Sequence, residues 1–173
     1  HLKIHTQYSI CEGAIKIDDL AEYCKTKKKP AIGLSDNYNL CGALEFSEAI
    51  SKVGTQPIIG SQINFKYFDT IGKIPIFAKT QLGFGNLTKL SSKSYLEVNE
   101  DDQPHCLIDD LLKNNKDLII LSGGIDSLFS NLVKKNKIKQ LEEITATFKE
   151  NFLDLFYFEI QRHNDIGEKN LEN

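Results

Sequence analysis

The feature that most constrains this chain is the regular exchange of short apolar runs with longer amphipathic stretches. "AIGLS", "PIIGSQINF", "IPIFAK", "DLIILS" and "LFYFEIQ" have strand length and β-branched content, and "HLKIH" opens the series as a first short strand. Between them lie helical patterns. One is capped by Asp18 or Asp19 and runs to about Lys27, with Leu20, Tyr23 and Cys24 on one face. Leu44 to Val53 forms another, stopped by Gly54, and Leu82 to Tyr95 a third. Cys106 to Lys113, Ile125 to Lys135 and Ile138 to Phe152 complete the set, with "NEDDQP" as a polar loop. Strands alternating with helices predict βαβ units and a mainly parallel α/β sheet, open or closed into a barrel. At 173 residues the chain suffices for one domain with a real core.

Composition narrows the classes. Hydrophobic content of 40% and charged content of 26% are ordinary for a globular domain. No apolar run reaches the roughly 20 residues that span a bilayer, and there is no signal peptide, so neither a membrane nor export is expected. The net charge of −3 does not predict a nucleic-acid surface, and the two lysine runs, Lys27 to Lys29 and Lys134 to Lys139, read as solvated helix ends. Cys11, Cys24, Cys41 and Cys106 form no CxxC pair, which argues against structural zinc and for reduced thiols of a cytoplasmic protein. The chain starts at His1 and contains no Met, the expectation for a piece of a longer polypeptide.

In a parallel α/β fold the residues that follow the strands converge on one rim. Here these are His5, Thr6 and Gln7; Asp36 and Asn37; Gln62; Ser122 and Gly123; and Gln161 and His163. His5, Glu12, Asp36 and His163 are types that hold zinc or manganese and activate a water. Lys3, Asn37 and Gln62 are not: an ammonium repels a dication, and neutral amides balance no charge. These types predict a depleted site. A second motif, Ser122-Gly123-Gly124-Ile125-Asp126-Ser127, resembles the SGGxDS pyrophosphate loop of ATP-dependent adenylating enzymes. It lies late in the chain, and a plain strand-to-helix turn explains its glycines.

Six blocks, in order, carry a wider resemblance. "HLKIHTQYSICEGAIKIDDL" is similar to an opening block with a His-x-His pair, and "PAIGLSDNYNLCGALEF" to a Thr-Asp-His-Gly-Asn block. "QPIIGSQINF" is similar to a Lys-Pro-Ile-Ile-Gly-x-Glu block; "AKTQLGFGNLTKLSSKSY", "LIILSGG" and "FYFEIQRH" follow. Together they resemble the N-terminal PHP domain of bacterial DNA polymerase III alpha subunits, over nearly the whole of residues 1–173. That resemblance implies a distorted seven-stranded βα barrel, incomplete here at its C-terminus. In some members its rim binds a trinuclear metal cluster and removes nucleotides 3′ to 5′.

Carried over position by position, His5, Glu12 and Asp36 match ligand positions. Lys3 stands for a His, Asn37 for a His and Gln62 for a Glu, and the final Asp-x-His block would lie beyond Asn173. The resemblance thus implies a degenerate rim of Lys3, His5, Glu12, Asp36, Asn37, Gln62 and His163, without catalytic residues or a bound metal. It implies a structural scaffold in DNA replication that docks a proofreading exonuclease subunit and other holoenzyme subunits. DNA binding, magnesium and the nucleotidyltransferase reaction would belong to the parent DNA-directed DNA polymerase. Two alternatives stay open: a working zinc or manganese phosphoesterase or 3′–5′ exonuclease with His1, His5, Glu12, Asp36 and His163 as ligands, and an ATP-binding enzyme using Ser122 to Ser127.

Overall fold

The computed structural model describes residues 1–99 and 101–161. Their order is α1 (Ile17–Thr26), β1 (Ala31–Asn37), α2 (Ala43–Lys52), β2 (Gln56–Tyr67), β3 (Thr70–Ala78), α3 (Gln81–Leu96), β4 (Cys106–Leu107), α4 (Ile108–Lys113), β5 (Leu118–Leu121), α5 (Leu128–Lys134), α6 (Ile138–Phe152) and β6 (Phe156–Tyr157). One sheet runs β1-β2-β3-β5-β6, with β4 paired to β2. The pairs β1/β2, β2/β4 and β5/β6 are parallel, as the alternation predicts. Strand β3 is inverted against both neighbours. Its cause is local: only Phe68 and Asp69 separate it from β2, and a two-residue turn can join only antiparallel strands. Phe68 takes a positive φ of 52° to make that turn.

Several boundaries differ from the sequence expectation. The opening "HLKIH" forms no ladder, only a parallel bridge between Ile4 and Leu34. The segment still lies along β1, since Gly33 N–H donates to the His1 carbonyl and Ser35 N–H to that of Ile4. A side chain at Gly33 would sit 2.7 Å from the Leu2 carbonyl oxygen, so a glycine is what lets the segment come this close. Asp18 and Asp19 occupy the first turn of α1 and favour its dipole, rather than capping it. Cys106 and Leu107 pair as β4 before the short helix begins, α5 starts at Leu128, and the last strand keeps only Phe156 and Tyr157.

Two apolar clusters form the core. Ile63, Phe65, Ile74, Ile76, Leu87, Leu90, Ile120, Leu128 and Phe148 pack between the middle strands and α3, α5 and α6. Ile4, Ile17, Leu20, Cys24, Ile32, Leu34, Phe46 and Ile50 join the opening segment, β1, α1 and α2. Because strand side chains alternate, the other face of the same strands carries Asn37, Gln62, Asn64 and Lys73. Register sets Asn37 beside Gln62, Gln62 opposite Pro75, and Asn64 opposite Lys73. This polar face is the inside of a curl. Lys3, beside β1, reaches Glu159, just beyond β6, at 3.7 Å. The sheet therefore bends until its two margins meet through side chains, but the described strands do not close by hydrogen bonding into a barrel.

Candidate functional site

The rim of this curl is built by the opening loop, the end of β1, the middle of β2, β3 and the turn after β5. Gln62 sits inside β2 rather than after it, because β2 runs on to Tyr67. Its amide donates to Asn37 Oδ1 at 2.9 Å and lies 3.1 Å from His5 Nε2. The Asn37 amide donates to Glu12 Oε2. His5, Gln62, Asn37 and Glu12 therefore form one chain of contacts, four of the residues that the sequence singles out. Burial lowers the His5 pKa, Lys3 lowers it further, and the imidazole is held neutral to below its usual range. Its Nδ1 is buried without a hydrogen-bond partner among the described residues.

Asp36 is brought to the rim but turned away from this chain. It shares the Ile32 and Leu34 face of β1, opposite to that of Asn37. Oδ1 accepts from the Thr6 backbone N–H at 2.6 Å and the Ser9 hydroxyl at 2.7 Å, and Oδ2 from the Thr6 hydroxyl at 2.7 Å. Ser9 Oγ in turn accepts the Asn37 N–H at 3.0 Å. Asp36 is thus a buried latch that fastens the opening segment to β1. Thr6 and Ser9 were not singled out by residue type; their signal was only their position in the loop after the first apolar run.

Lys73 is the residue that sequence reasoning missed. It stands in β3 with its side chain 11% exposed, and its Nζ lies 3.1 Å from Glu12 Oε2 and 3.0 Å from Asp126 Oδ2. Glu12 Oε1 is 3.3 Å away, and the Tyr38 ring centre 5.4 Å. Burial alone would pull the lysine pKa down, but the hydrogen bonds it donates to Asp126 and Glu12 outweigh it and hold the pKa above the usual value. Burial likewise pushes Asp126 up, and the Lys73 ammonium prevails and keeps it below the ordinary carboxylate range. The readable signal was a lone lysine in an apolar strand, alternating with Pro75. Lys3 is occupied by Glu159, and His1 is exposed at the far end of its segment. His163 lies outside the described residues.

These residues do not fit a metal cluster. The Asp36 oxygens accept from three protein donors, Glu12 is held by an amide and an ammonium, and Lys73 brings positive charge to the centre. Among the described residues no three His, Cys, Asp or Glu side chains converge as a ligand group. The Ser122 to Ser127 turn is also spent internally. Ser122 Oγ accepts the Glu159 N–H at 2.9 Å, Ser130 Oγ donates to the Gly124 carbonyl at 2.7 Å, and Ser127 Oγ caps α5 through the Ser130 N–H at 3.1 Å. Asp126 belongs to Lys73. A groove of about 660 Å³ borders this turn, lined by Gly124, Ile125, Phe129, Leu141, Ala146 and Phe158; His5, Glu12, Asp36, Asn37, Gln62 and Lys73 do not line it. No helix among the described residues is long and apolar enough to cross a membrane.

Comparison with known proteins gives the family and the fold. The family model described as "PHP domain" matches residues 1–163. DNA polymerase III subunit alpha of Caulobacter vibrioides is 34% identical over 94% of this chain, and that of Borreliella burgdorferi 36% over 94%. The Rickettsia conorii subunit is 34% identical over 99%. The chain spans about 15% of the length of each of these relatives. A solved structure from Bifidobacterium adolescentis, assigned as a metal-dependent phosphoesterase, superposes with a TM-score of 0.61 at 11% identity, covering 99% of this chain and 80% of that one. At that identity the likeness speaks for the fold.

Proposed function

The chain belongs to the PHP domain family, and on that premise we propose that it serves as the N-terminal PHP domain of a replicative DNA polymerase III alpha subunit. Its role is structural. The identity to alpha subunits of several bacteria supports the parentage. The observation that carries the structural role is the buried Asp36 carboxylate, which accepts three hydrogen bonds from Thr6 and Ser9, two on Oδ1 and one on Oδ2. A carboxylate so engaged orders the opening backbone, and a metal would have to compete with three protein donors for it.

In this reading the polymerase reaction, its magnesium and its DNA contacts lie in the rest of the cytoplasmic parent protein. Proofreading falls to a separate exonuclease subunit that docks on this domain within the replicative holoenzyme. The test is the full-length parent protein, purified free of any exonuclease subunit, with elemental analysis and a 3′–5′ exonuclease assay in manganese and in zinc. A metal content that Asp36→Ala leaves unchanged, and uncut 3′ ends, are expected. Stoichiometric metal, with hydrolysis abolished by Asp36→Ala, would establish the working phosphoesterase instead.

A further inference from the structure

We propose that Lys73 is a built-in cation, a covalently tethered counter-charge that occupies the centre of the rim in place of a metal ion and joins its loops. The inference rests on the reading of the rim as metal-free and goes beyond it. That reading says which donors are spent; this one says what replaced the ion.

Three observations support it. The first is valence. An ammonium has three protons, and Lys73 Nζ has three carboxylate oxygens within 3.3 Å: two from Glu12 and one from Asp126. The second is topology. Glu12 belongs to the opening loop, Asp126 to the turn after β5, and Lys73 to the strand between them. A metal would join the same separate segments by the same kind of oxygen contact. The backbone repeats the link, since the Lys73 N–H points to the Asp126 carbonyl at 3.4 Å and Lys73 bridges Ser127. The third is position. The ammonium reaches inward from β3, opposite Asn64 and beside the Tyr38 ring, and Glu12 passes its contact on to Asn37, Gln62 and His5. An ordinary surface ion pair would join two exposed chains, whereas here the cation is 11% exposed and its carboxylates about half exposed. The charge is therefore enclosed at the centre with its partners arranged around it.

The consequence is an exchange rule. Remove the ammonium and the same two carboxylates have an unbalanced negative field that a divalent cation can fill. Taking a unit positive charge from about 3 Å of two carboxylates should raise divalent affinity by roughly 100-fold or more. The experiment uses the full-length protein with Lys73→Met, Lys73→Arg and Lys73→Met/Glu12→Gln, manganese as the probe, paramagnetic resonance for binding and thermal unfolding for stability. Wild type and Lys73→Arg should bind no manganese at the rim and show no manganese-dependent shift. Lys73→Met should unfold at lower temperature, bind one manganese ion and regain stability with it. Adding Glu12→Gln should recover part of the stability without metal and abolish the manganese response.

The proposal is overturned if Lys73→Met is as stable as wild type, or if its loss is untouched by both manganese and Glu12→Gln. Should Lys73→Met fail to fold, the same double variant decides: recovered folding supports the tethered cation, and continued failure overturns it. A wild-type manganese ion that is lost in Glu12→Gln, with Lys73 in place, would instead sink the metal-free reading and this inference together.

Discussion

Replacing Asp36 by alanine and by asparagine should give sharply different losses of stability, because the carboxylate works as an acceptor hub. Alanine leaves the buried Thr6 N–H without a partner and takes the shared acceptor from the hydroxyls of Thr6 and Ser9, both fully buried. A stranded buried N–H costs about 1–3 kcal/mol, and hydrogen bonds to a charged group are worth about 1.5–3 kcal/mol each. The hydroxyls can reorient, so the sum is discounted to about 4 kcal/mol. Asparagine keeps the shape and the oxygen facing Thr6 N–H and Ser9. Its amide then donates to Thr6 Oγ1, whose hydroxyl turns away, and only the charge assistance goes, about 1–2 kcal/mol. For a domain of this size each kcal/mol lowers the melting temperature by about 2–4 °C. Alanine should thus lose roughly 8–16 °C and asparagine roughly 2–8 °C, read by circular dichroism on heating and checked by urea unfolding. Equal losses for the two variants would refute the hub, since they would mean that the negative charge itself is what matters.

Further outcomes follow from the same coordinates. The folded-state pKa of His5 lies below its usual 6.5, so the unfolded chain takes up the proton first. Stability should be flat above that pH and fall as pH drops through the window between 6.5 and the lowered value, and His5→Gln should flatten this slope in urea midpoints across the acid range. A side chain at Gly72 would lie 2.4 Å from the Leu128 backbone, so Gly72→Ala should cost about 3 kcal/mol of overpacking. Gly85→Ala, at a half-buried position of α3 where an added methyl meets open space, should stabilise by about 0.5–1 kcal/mol in the same assay. Burial holds the Cys106 thiol up to about 12, and Cys24 is raised and buried as well, so Ellman's reagent should find only Cys11 and Cys41 in the native protein.

The alternation of apolar runs and helical faces made α1, α2, α3, α6 and the strands around Leu34, Ile63, Ile76 and Ile120 legible before any coordinates. These are elements whose pattern is set by burial on one face. The inverted β3 was less accessible, because direction depends on a two-residue turn with no glycine, where Phe68 adopts a left-handed backbone against its preference. The depletion of the rim was readable from Lys3, Asn37 and Gln62 as residue types, and Gln62, Asn37, Glu12 and His5 do meet. The two halves of the ion cluster were not readable as such. Lys73 was cut from its strand, since the apolar run begins after it, and Asp126 sat in a motif whose nearest analogy is phosphate binding. Their pairing spans two strands and a turn, a relation carried by tertiary packing. Asp36 shows the same limit in reverse: its identity suggested a ligand, and the one-residue alternation of β1 turned it to the other face.

The Lys3 to Glu159 contact has a mechanical consequence. In a closed barrel the circumference is fixed by an uninterrupted ladder of backbone hydrogen bonds, and any change of diameter must break them. Here the last step of the circle is made by two side chains, each with several rotatable bonds. The described sheet is therefore a split ring held by a hook. Its seam can widen or narrow by a change of rotamer while every strand pair stays intact, and the compliance of the curl is concentrated at that one charged joint.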